Sequence, residues 1–235
     1  MAEDPFTEGA GAAKEIAKTT GQAIEAGRAF GGWFAKVIGA PLDEATGMLT
    51  DHLKFKRWER QLLLQNRVEK HLEERSVPEH HRREVPLNIA LPAAQGASIE
   101  EDDELHDIWA RLLATAIDPA SPPVRTVFVD IIKRLNALDV KLLLLLRNEN
   151  ASVYVPQLTL NSDGDLVLDT ERPDNVHTFT QYGPREIETH LLIVESADNL
   201  LGAGVARVQG NDKSIIINRL GIGFVDACLR SPRPE

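Results

Sequence analysis

The chain has 235 residues, of which 43% are hydrophobic, a single cysteine, Cys228, and a formal net charge of −10. One cysteine excludes an internal disulfide framework and a cysteine-based zinc site, and no stretch approaches the roughly 18 apolar residues of a membrane span. The acidic N-terminal residues do not resemble a signal peptide and the negative charge disfavours attraction to phosphate, so we expect a cytoplasmic protein.

Residues 9–38 are rich in alanine and glycine and carry apolar side chains at helical spacing, among them Ile16 and Phe34. Because each glycine lowers helix stability by about 1 kcal/mol relative to alanine, we predict a helix that needs a partner surface. That surface is its own body, a second copy of the chain or a membrane interface. Small residues such as Gly31 would let another backbone approach closely.

A second helix is predicted from Asp43, as its N-cap, to about Arg75. It contains a basic and aromatic run whose cations are candidates for an interaction surface: Lys54, Lys56, Arg57 and Arg60. Such a run can bind a phosphate backbone, an acidic membrane surface or an acidic protein helix. The alternative interpretation is a solvated helix face whose aromatic residues, Trp58 among them, pack inward.

Three prolines between Ser76 and Gly96 predict a solvated connector in this segment. The segment also holds the adjacent pair His80 and His81. No cysteine or carboxylate follows the pair at a known ligand spacing, so we expect no metal site here.

Residues 98–117 show the strongest helical pattern in the chain. Ser98 followed by Glu101 is the signature of a capping box, and the neighbouring acids suit the positive end of a helix dipole. An apolar stripe follows at i, i+3, i+4 and i+7 spacing: Leu105, Ile108, Trp109, Leu112, Leu113, Ala116 and Ile117. The helix is predicted to end at Asp118-Pro119, and capping explains its acids more simply than acid–base chemistry does.

The C-terminal half predicts a winged-helix-like domain. Its elements, in chain order, are a helix from 124 to 135, a helix capped by Asn136 with Asp139 at its third position, a hairpin across a turn at 161–165, a helix from Pro184 to about Asn199, two strands flanking a turn at 210–212, and a closing helix from 220 to 228. The wholly apolar run from Leu142 to Leu146 predicts the centre of this domain.

The charges of this domain favour protein contact over DNA binding. The helix from Pro184 carries mostly acids, which is the wrong sign for a groove lined by phosphates. Around the predicted wing, Arg207, Lys213 and Arg219 are nevertheless able to touch phosphate.

Several longer motifs go beyond secondary structure. They are KFKRWERQL at 54–62, VPL and IALP at 85–92, DEL at 103–105 with IWARLLA at 108–114 and AIDP at 116–119, and LGIGFVDAC at 220–228. Together they resemble the abortive infection alpha (Abi-alpha) family of bacterial proteins over most of the chain. The motif positions, which we expect to be structural, are Trp58, Trp109, Asp118, Pro119, Gly221, Phe224 and Cys228. Asn218-Arg219 departs from the Thr-Pro that is usual in the family.

The resemblance implies a role in defence against bacteriophage, in which an infected cell is halted or killed before phage are released. It implies no characterised active site, and the sequence shows no phosphate-binding glycine loop, partnered nucleophile or metal spacing. We therefore expect no cofactor and no catalytic residue.

These observations predict a mainly α fold with a small β component (α+β). The expected organisation is a disordered segment at 1–8, a helical body at 9–118, a winged-helix-like domain at 119–229 with a hairpin insertion at 150–183, and a tail at 230–235. The expected function is a non-enzymatic abortive-infection protein that acts through protein or membrane-surface contacts. The alternative is a winged-helix transcription regulator that binds DNA.

The expected partner is a second copy of the chain or another protein. Peripheral membrane contact through residues 9–60 stays open, and nucleic acid is disfavoured by the net charge.

Overall fold

Helices dominate the part of the chain that the computed structural model describes, namely residues 31–37, 58–149, 152–169, 184–210 and 214–229. The helices are α1 (31–37), α2 (Trp58–Glu74), α3 (Leu87–Ile99), α4 (Asp103–Ile117), α5 (Thr126–Ile132), α6 (Ala137–Glu149), α7 (Pro184–Gly202) and α8 (Arg219–Cys228). The strands are β1 (Val153–Tyr154), β2 (Leu158–Leu160), β3 (Leu166–Leu168), β4 (Ala206–Gln209) and β5 (Ser214–Ile217). The predicted mainly α fold with a small β component is confirmed.

Some predictions concern residues outside the described part. They are the disordered segment at 1–8, most of the helix at 9–38, the start of the second helix at Asp43, and the tail at 230–235. The second helix ends at Glu74, close to the predicted Arg75.

Helix α4 has the predicted apolar stripe and the predicted end, but a different start. Its stripe is buried throughout, and Asp118 is its C-cap residue. The predicted capping box at Ser98 and Glu101 is wrong: the Asp102 carboxylate accepts from Glu104 N at 2.8 Å and Leu105 N at 2.9 Å. Ser98 is still inside the preceding helix, where its hydroxyl donates to the Gln95 carbonyl. Packing of the α3 face against the core carries that helix past the serine.

The prediction of a solvated connector from Ser76 to Gly96 is wrong for residues 87–96, which belong to helix α3. Pro86 is its N-cap residue, at the edge of the helix, and Pro92 lies inside it and removes a single backbone hydrogen bond. Apart from Ile89, the buried face of α3 consists of small residues at helical spacing, among them Ala90, Ala93, Ala94 and Ala97. Close packing of this alanine face compensates for the backbone hydrogen bond lost at Pro92. The number of prolines in the segment does not predict such packing.

Helix α6 begins with the predicted N-cap. The Asn136 side chain accepts from Asp139 N at 2.9 Å, and Asp139 accepts in return from Asn136 N at 2.8 Å. Asp139 is fully buried, and it also accepts from Ser196 Oγ and Asn199 Nδ2, both at 2.6 Å. The same carboxylate therefore caps α6 and holds α7 against it.

Two small antiparallel sheets lie in the C-terminal half. The predicted hairpin is confirmed, with Leu158 opposite Leu168, and Asn161 orders its turn by accepting from Asp163 N and Asp165 N. The second sheet has the strand order β1-β5-β4, in which β4 is an edge strand. Whether this sheet and the helices around it form a winged helix stays a prediction.

One cluster of buried apolar side chains runs through both halves of the described residues. Helices α4 and α8 meet through a hydrogen bond from Thr115 Oγ1 to the Ala227 carbonyl at 2.6 Å. Phe128 and Phe224 pack edge to face with ring centroids 5.7 Å apart. The predicted domain boundary at residue 118 is crossed by these contacts and stays a prediction.

A prediction follows from the close contact of α3 with α4. A Cβ atom at Gly96 would lie 2.5 Å from Trp109 Cζ2, so Gly96→Ala forces the indole or the helix to move. We expect the free energy of unfolding in urea to fall by about 1–3 kcal/mol. The matched control is Gly223→Ala, whose Cβ would meet Phe128 at an ordinary 3.7 Å, and which should leave stability unchanged or higher. Equal stability of the two variants would contradict this packing.

Candidate functional site

A row of charged and polar side chains joins α2 to α4, and we call it the charged seam. Its members from α2 and the residue that follows it are Arg60, Arg67, His71 and Arg75, and its α4 members are Asp103, His106, Asp107 and Thr115. From one pair to the next the residue numbers increase on both sides of the seam, from Arg60 with Asp103 to Arg75 with Thr115. The two helices therefore run parallel, and the intervening helix α3 makes the return.

The N-terminal end of the seam is a clamp on Asp103. Arg60 Nη1 lies 2.8 Å from the Asp103 carboxylate, and Arg67 Nη2 lies 3.3 Å from it. Arg60 also donates to the Glu101 carbonyl at 2.8 Å. Hydrogen bonding to Arg60 and the nearby charge of Arg67 lower the pKa of Asp103.

His106 is the most buried titratable group of the seam, with no exposed surface. Its Nε2 lies 3.0 Å from the Arg60 carbonyl and its Nδ1 lies 3.2 Å from Arg67 Nη1. A carbonyl needs a donor and a guanidinium needs an acceptor, so these partners select the neutral ring with its proton on Nε2. Burial lowers the pKa of His106 to about 4.

His71 and Asp107 form the centre of the seam. His71 Nε2 lies 2.8 Å from Asp107 Oδ1, and its Nδ1 lies 3.3 Å from Glu74 Oε2. Arg111 Nε donates to the other Asp107 oxygen at 2.7 Å. Burial raises the pKa of Asp107, but the hydrogen bonds from His71 and Arg111 outweigh burial and hold that pKa well below its usual range. Both ring nitrogens of His71 are engaged, so neither is open to a substrate proton.

The C-terminal end of the seam connects to helix α8. Arg75 Nη1 donates to Thr115 Oγ1 at 3.0 Å and lies 3.7 Å from Asp118 Oδ2. Asp118 accepts in addition from Ala120 N and the Ser121 hydroxyl. Burial strongly raises the pKa of the Cys228 thiol in the neighbouring helix, which keeps it out of the reactive thiolate form.

A polar cleft of about 720 Å³ opens beside the seam, between α1, α2 and residues 79–84. Four of its charged side chains form two pairs. Glu69 accepts from Trp33 Nε1 at 2.8 Å and from both terminal nitrogens of Arg82, at 2.9 and 2.8 Å. Lys36 and Glu79 pair across the mouth of the cleft at 3.0 Å.

The candidate interaction residues lie in different places. Lys54, Lys56, Arg57 and Lys213 lie outside the described residues. Arg60 belongs to the charged seam. Arg207 and Arg219 are exposed on β4 and at the start of α8, and within the described ranges neither side chain forms an ion pair or hydrogen bond.

Most family-motif positions that the structure describes are buried: Trp109, Asp118, Gly221, Phe224 and Cys228. Pro119 is exposed, and the side chain of Trp58 lies outside the description. A Cβ atom at Gly221 would clash with the carbonyl oxygen of Val205, the residue before β4, so only glycine lets α8 approach the backbone this closely here. The family motif thus marks contacts between helices and strands.

The charged seam is the feature that sequence analysis missed. Arg60, Arg67, His71 and Arg75 recur at intervals of seven and four, which places them on one face of a helix. That periodicity was a usable signal. Which helix would supply the matching acids could not be inferred from it, because the partner is some 40 residues away and runs parallel across an unpredicted helix.

Among the described residues, no group of three or more His, Cys, Asp or Glu side chains is arranged to hold a metal ion. None of the described helices combines the length and the apolar character needed to span a membrane.

The protein family described as "Abortive infection alpha" matches residues 59–228, in agreement with the resemblance inferred from the motifs. Neither a search of curated proteins nor a search of solved structures found a match.

The pKa of His106 generates a prediction about stability and pH. Because its pKa is lower in the folded state, about 4 against 6.5 unfolded, the unfolded chain takes up a proton first as pH falls. The free energy of unfolding should therefore decrease by about 2 kcal/mol between pH 7 and pH 5 through this one residue. Urea unfolding at both pH values measures the decrease.

His106→Gln keeps an N–H and an oxygen but does not titrate, so it should remove most of that decrease. The control is His80→Gln, at an exposed histidine, which should keep the pH dependence of the unmodified chain. An unchanged decrease in His106→Gln would contradict the assignment.

Proposed function

The chain belongs to the abortive infection alpha family, and from this membership we propose that it protects bacteria from phage by abortive infection, acting through binding contacts and not by catalysis. One observation supports the proposal that the chain does not act by catalysis: the side chains best suited to chemistry already have internal partners. A general base must reach a substrate proton, and a nucleophile must reach a reacting atom.

The charged seam supplies the evidence for that statement. Both nitrogens of His71 and both of His106 have protein partners, and both oxygens of Asp107 are engaged. Cys228 is fully buried. Removal of one member at the centre of the seam would leave a partly buried charge without its partner. The histidines and the carboxylate of the seam therefore hold α2 against α4.

Large apolar side chains exposed for contact lie on α3, where Ile99 is 61% exposed, and on the C-terminal elements. Leu191 and Leu192 are large apolar residues exposed on α7, and Val208 is exposed on β4. Residues 9–60 remain candidates for assembly or for contact with the inner face of the membrane, as the sequence predicts. We place the protein, as part of this proposal, in the cytoplasm.

A second candidate function is DNA binding by a winged-helix regulator. The observation that favours it is the sheet β1-β5-β4 beside α7, with Arg207 and Arg219 exposed and unpaired among the described residues. The charge of α7 opposes it. Glu188, Glu195 and Asp198 are exposed along this helix and would face phosphate with the same sign.

The proposed function predicts a particular response to infection. Cells that express the chain should survive as a culture when few are infected, and should stop growing when nearly all are infected, because each infected cell is sacrificed. Growth curves at low and high phage-to-cell ratios measure this. Protection that persists when every cell is infected would argue against abortive infection.

The non-catalytic part is tested with the centre of the seam. His71→Gln and Asp107→Asn keep hydrogen-bonding groups but change the proton chemistry of this pair. We expect both variants to protect in proportion to the amount of folded protein, measured by immunoblot and thermal unfolding. Full abundance with complete loss of protection in both variants would point to catalysis.

DNA binding is expected to be weak. In a fluorescence titration at physiological salt, duplex DNA should bind no more tightly than ordinary non-specific complexes, about 10⁻⁴–10⁻⁶ M. The variant Arg207→Ala with Lys213→Ala should not alter this affinity. Tight binding that weakens steeply with salt, and that the double variant abolishes, would establish the regulator instead.

A further inference from the structure

Helix α1 is attached to the rest of the described structure by apolar and by polar contacts. Trp33, Phe34 and Val37 are buried members of the hydrophobic cluster. The Val37 carbonyl also accepts a hydrogen bond from Val85 N at 2.8 Å. For residues 31–37, the chain's own body therefore supplies a partner surface.

The polar side-chain contacts of α1 meet at two carboxylates. Glu69 of α2 accepts from Trp33 Nε1 at 2.8 Å and from both terminal nitrogens of Arg82, at 2.9 and 2.8 Å. Lys36 pairs with Glu79 at 3.0 Å, but 75% and 71% of these two side chains are exposed. An ion pair that is so exposed contributes little to stability. Glu69 is therefore the stronger of the two attachments.

The polar part of this contact is incompletely packed and incompletely hydrogen-bonded. The cleft of about 720 Å³ has α1 on one wall and α2 on another, so the two helices do not interdigitate over this area. Gln65 Oε1 and Arg82 Nε belong to residues that line the cleft, and both atoms are buried without a hydrogen-bond partner among the described residues. Each of them opposes the docked arrangement, because water can satisfy it once α1 has left.

We propose that α1 is a latch, which opens while the rest of the described structure stays folded, and that Glu69 holds the latch closed. Local opening occurs where packing and hydrogen bonding are least complete. Opening exposes Trp33, Phe34 and Val37, three apolar side chains that a partner can then contact. The proposal rests on the proposed function, since it names what controls access to part of the N-terminal contact region at 9–60.

Two backbone amides, two residues apart in the chain, report on different neighbours. Val85 N donates to the Val37 carbonyl of α1, whereas Arg83 N donates to the Ile117 carbonyl of α4, both at 2.8 Å. Arg83 is held to α4 by its side chain as well, through a hydrogen bond from Nε to the Ala116 carbonyl at 3.0 Å. Opening of the latch therefore removes the partner of Val85 N and leaves that of Arg83 N in place.

Amide hydrogen exchange of the full chain, followed by NMR, measures the latch through these two amides. Each exchange rate is compared with that of the same amide in the unfolded chain. In the unmodified chain, Val85 should be slowed at least tenfold less than Arg83, because the latch opens more often than the body does. Glu69→Leu should accelerate exchange at Val85 at least tenfold, since Trp33 loses its acceptor and Arg82 its ionic partner.

Matched variants separate the latch from a general loss of stability. Glu73→Leu removes an exposed carboxylate of α2 one turn further on, and it should leave exchange at Val85 unchanged. Gly96→Ala crowds Trp109 at the contact of α3 with α4. Val85 should still exchange at the unmodified rate in this variant, because opening of the latch does not break that contact.

A milder variant tests the latch without a change at a partly buried position. Lys36→Ala removes the exposed pair with Glu79 and should fold normally. It should accelerate exchange at Val85 about two- to fivefold, which is the contribution of an exposed ion pair.

Three results would overturn the latch. The first is equal slowing of Val85 and Arg83 in the unmodified chain. The second is an unchanged rate at Val85 in both Glu69→Leu and Lys36→Ala. The third is acceleration of Val85 by Gly96→Ala to the same extent as Arg83, since α1 would then leave only when the whole protein unfolds.

The exchange experiment uses the purified chain without phage, so it fails independently of the proposed function. Slow and equal exchange at both amides, in a chain that still protects cultures at a low phage-to-cell ratio, removes the latch and leaves abortive infection standing. The expected exchange pattern, in a chain that gives cultures no protection, removes the proposed function and leaves the latch standing.

Discussion

The charged seam between α2 and α4 is the constraint on which the arrangement of the helices depends. Parallel helices close in sequence need a return segment, and here α3 provides it with a face of alanines that lets the helices approach. The pairs from Arg60–Asp103 to His71–Asp107 set the register of the two helices. Because a charge in a partly buried position is costly without its partner, a slip of one turn would break several pairs at once.

The seam also engages several of the titratable side chains that could otherwise take part in a reaction. The Arg, His and Asp side chains of the seam are candidates for chemistry by residue type, yet in the fold they bind each other or backbone carbonyls. Large apolar side chains that water reaches lie elsewhere among the described residues: Ile99 on α3, Leu191 and Leu192 on α7, and Val208 on β4. Binding contacts are therefore the function that we propose for this fold, in the setting of abortive infection that the family suggests.

Local signals account for much of the fold that could be predicted. The stripe from Leu105 to Ile117, the cap formed by Asn136 with Asp139, and the hairpin at 158–168 each depend on residues a few positions apart. The predicted start of α4 was wrong because Ser98 and Asp102 are both good N-cap residues. Long-range packing extends α3 past Ser98, so Asp102 caps α4 instead. The candidate site was predicted least, since the partners of Arg60 and His71 come from a distant helix.

The sequence by itself determined the helical character, the hairpin and the family, because periodicity, turn residues and motifs are carried by short stretches of chain. Only the tertiary structure decided that Arg60 is part of an internal clamp and that Leu191 and Leu192 face water. Helix α7 has apolar residues on several sides, so its periodicity does not specify which side meets the core. That choice is made by the bonds of Ser196 and Asn199 to the buried Asp139.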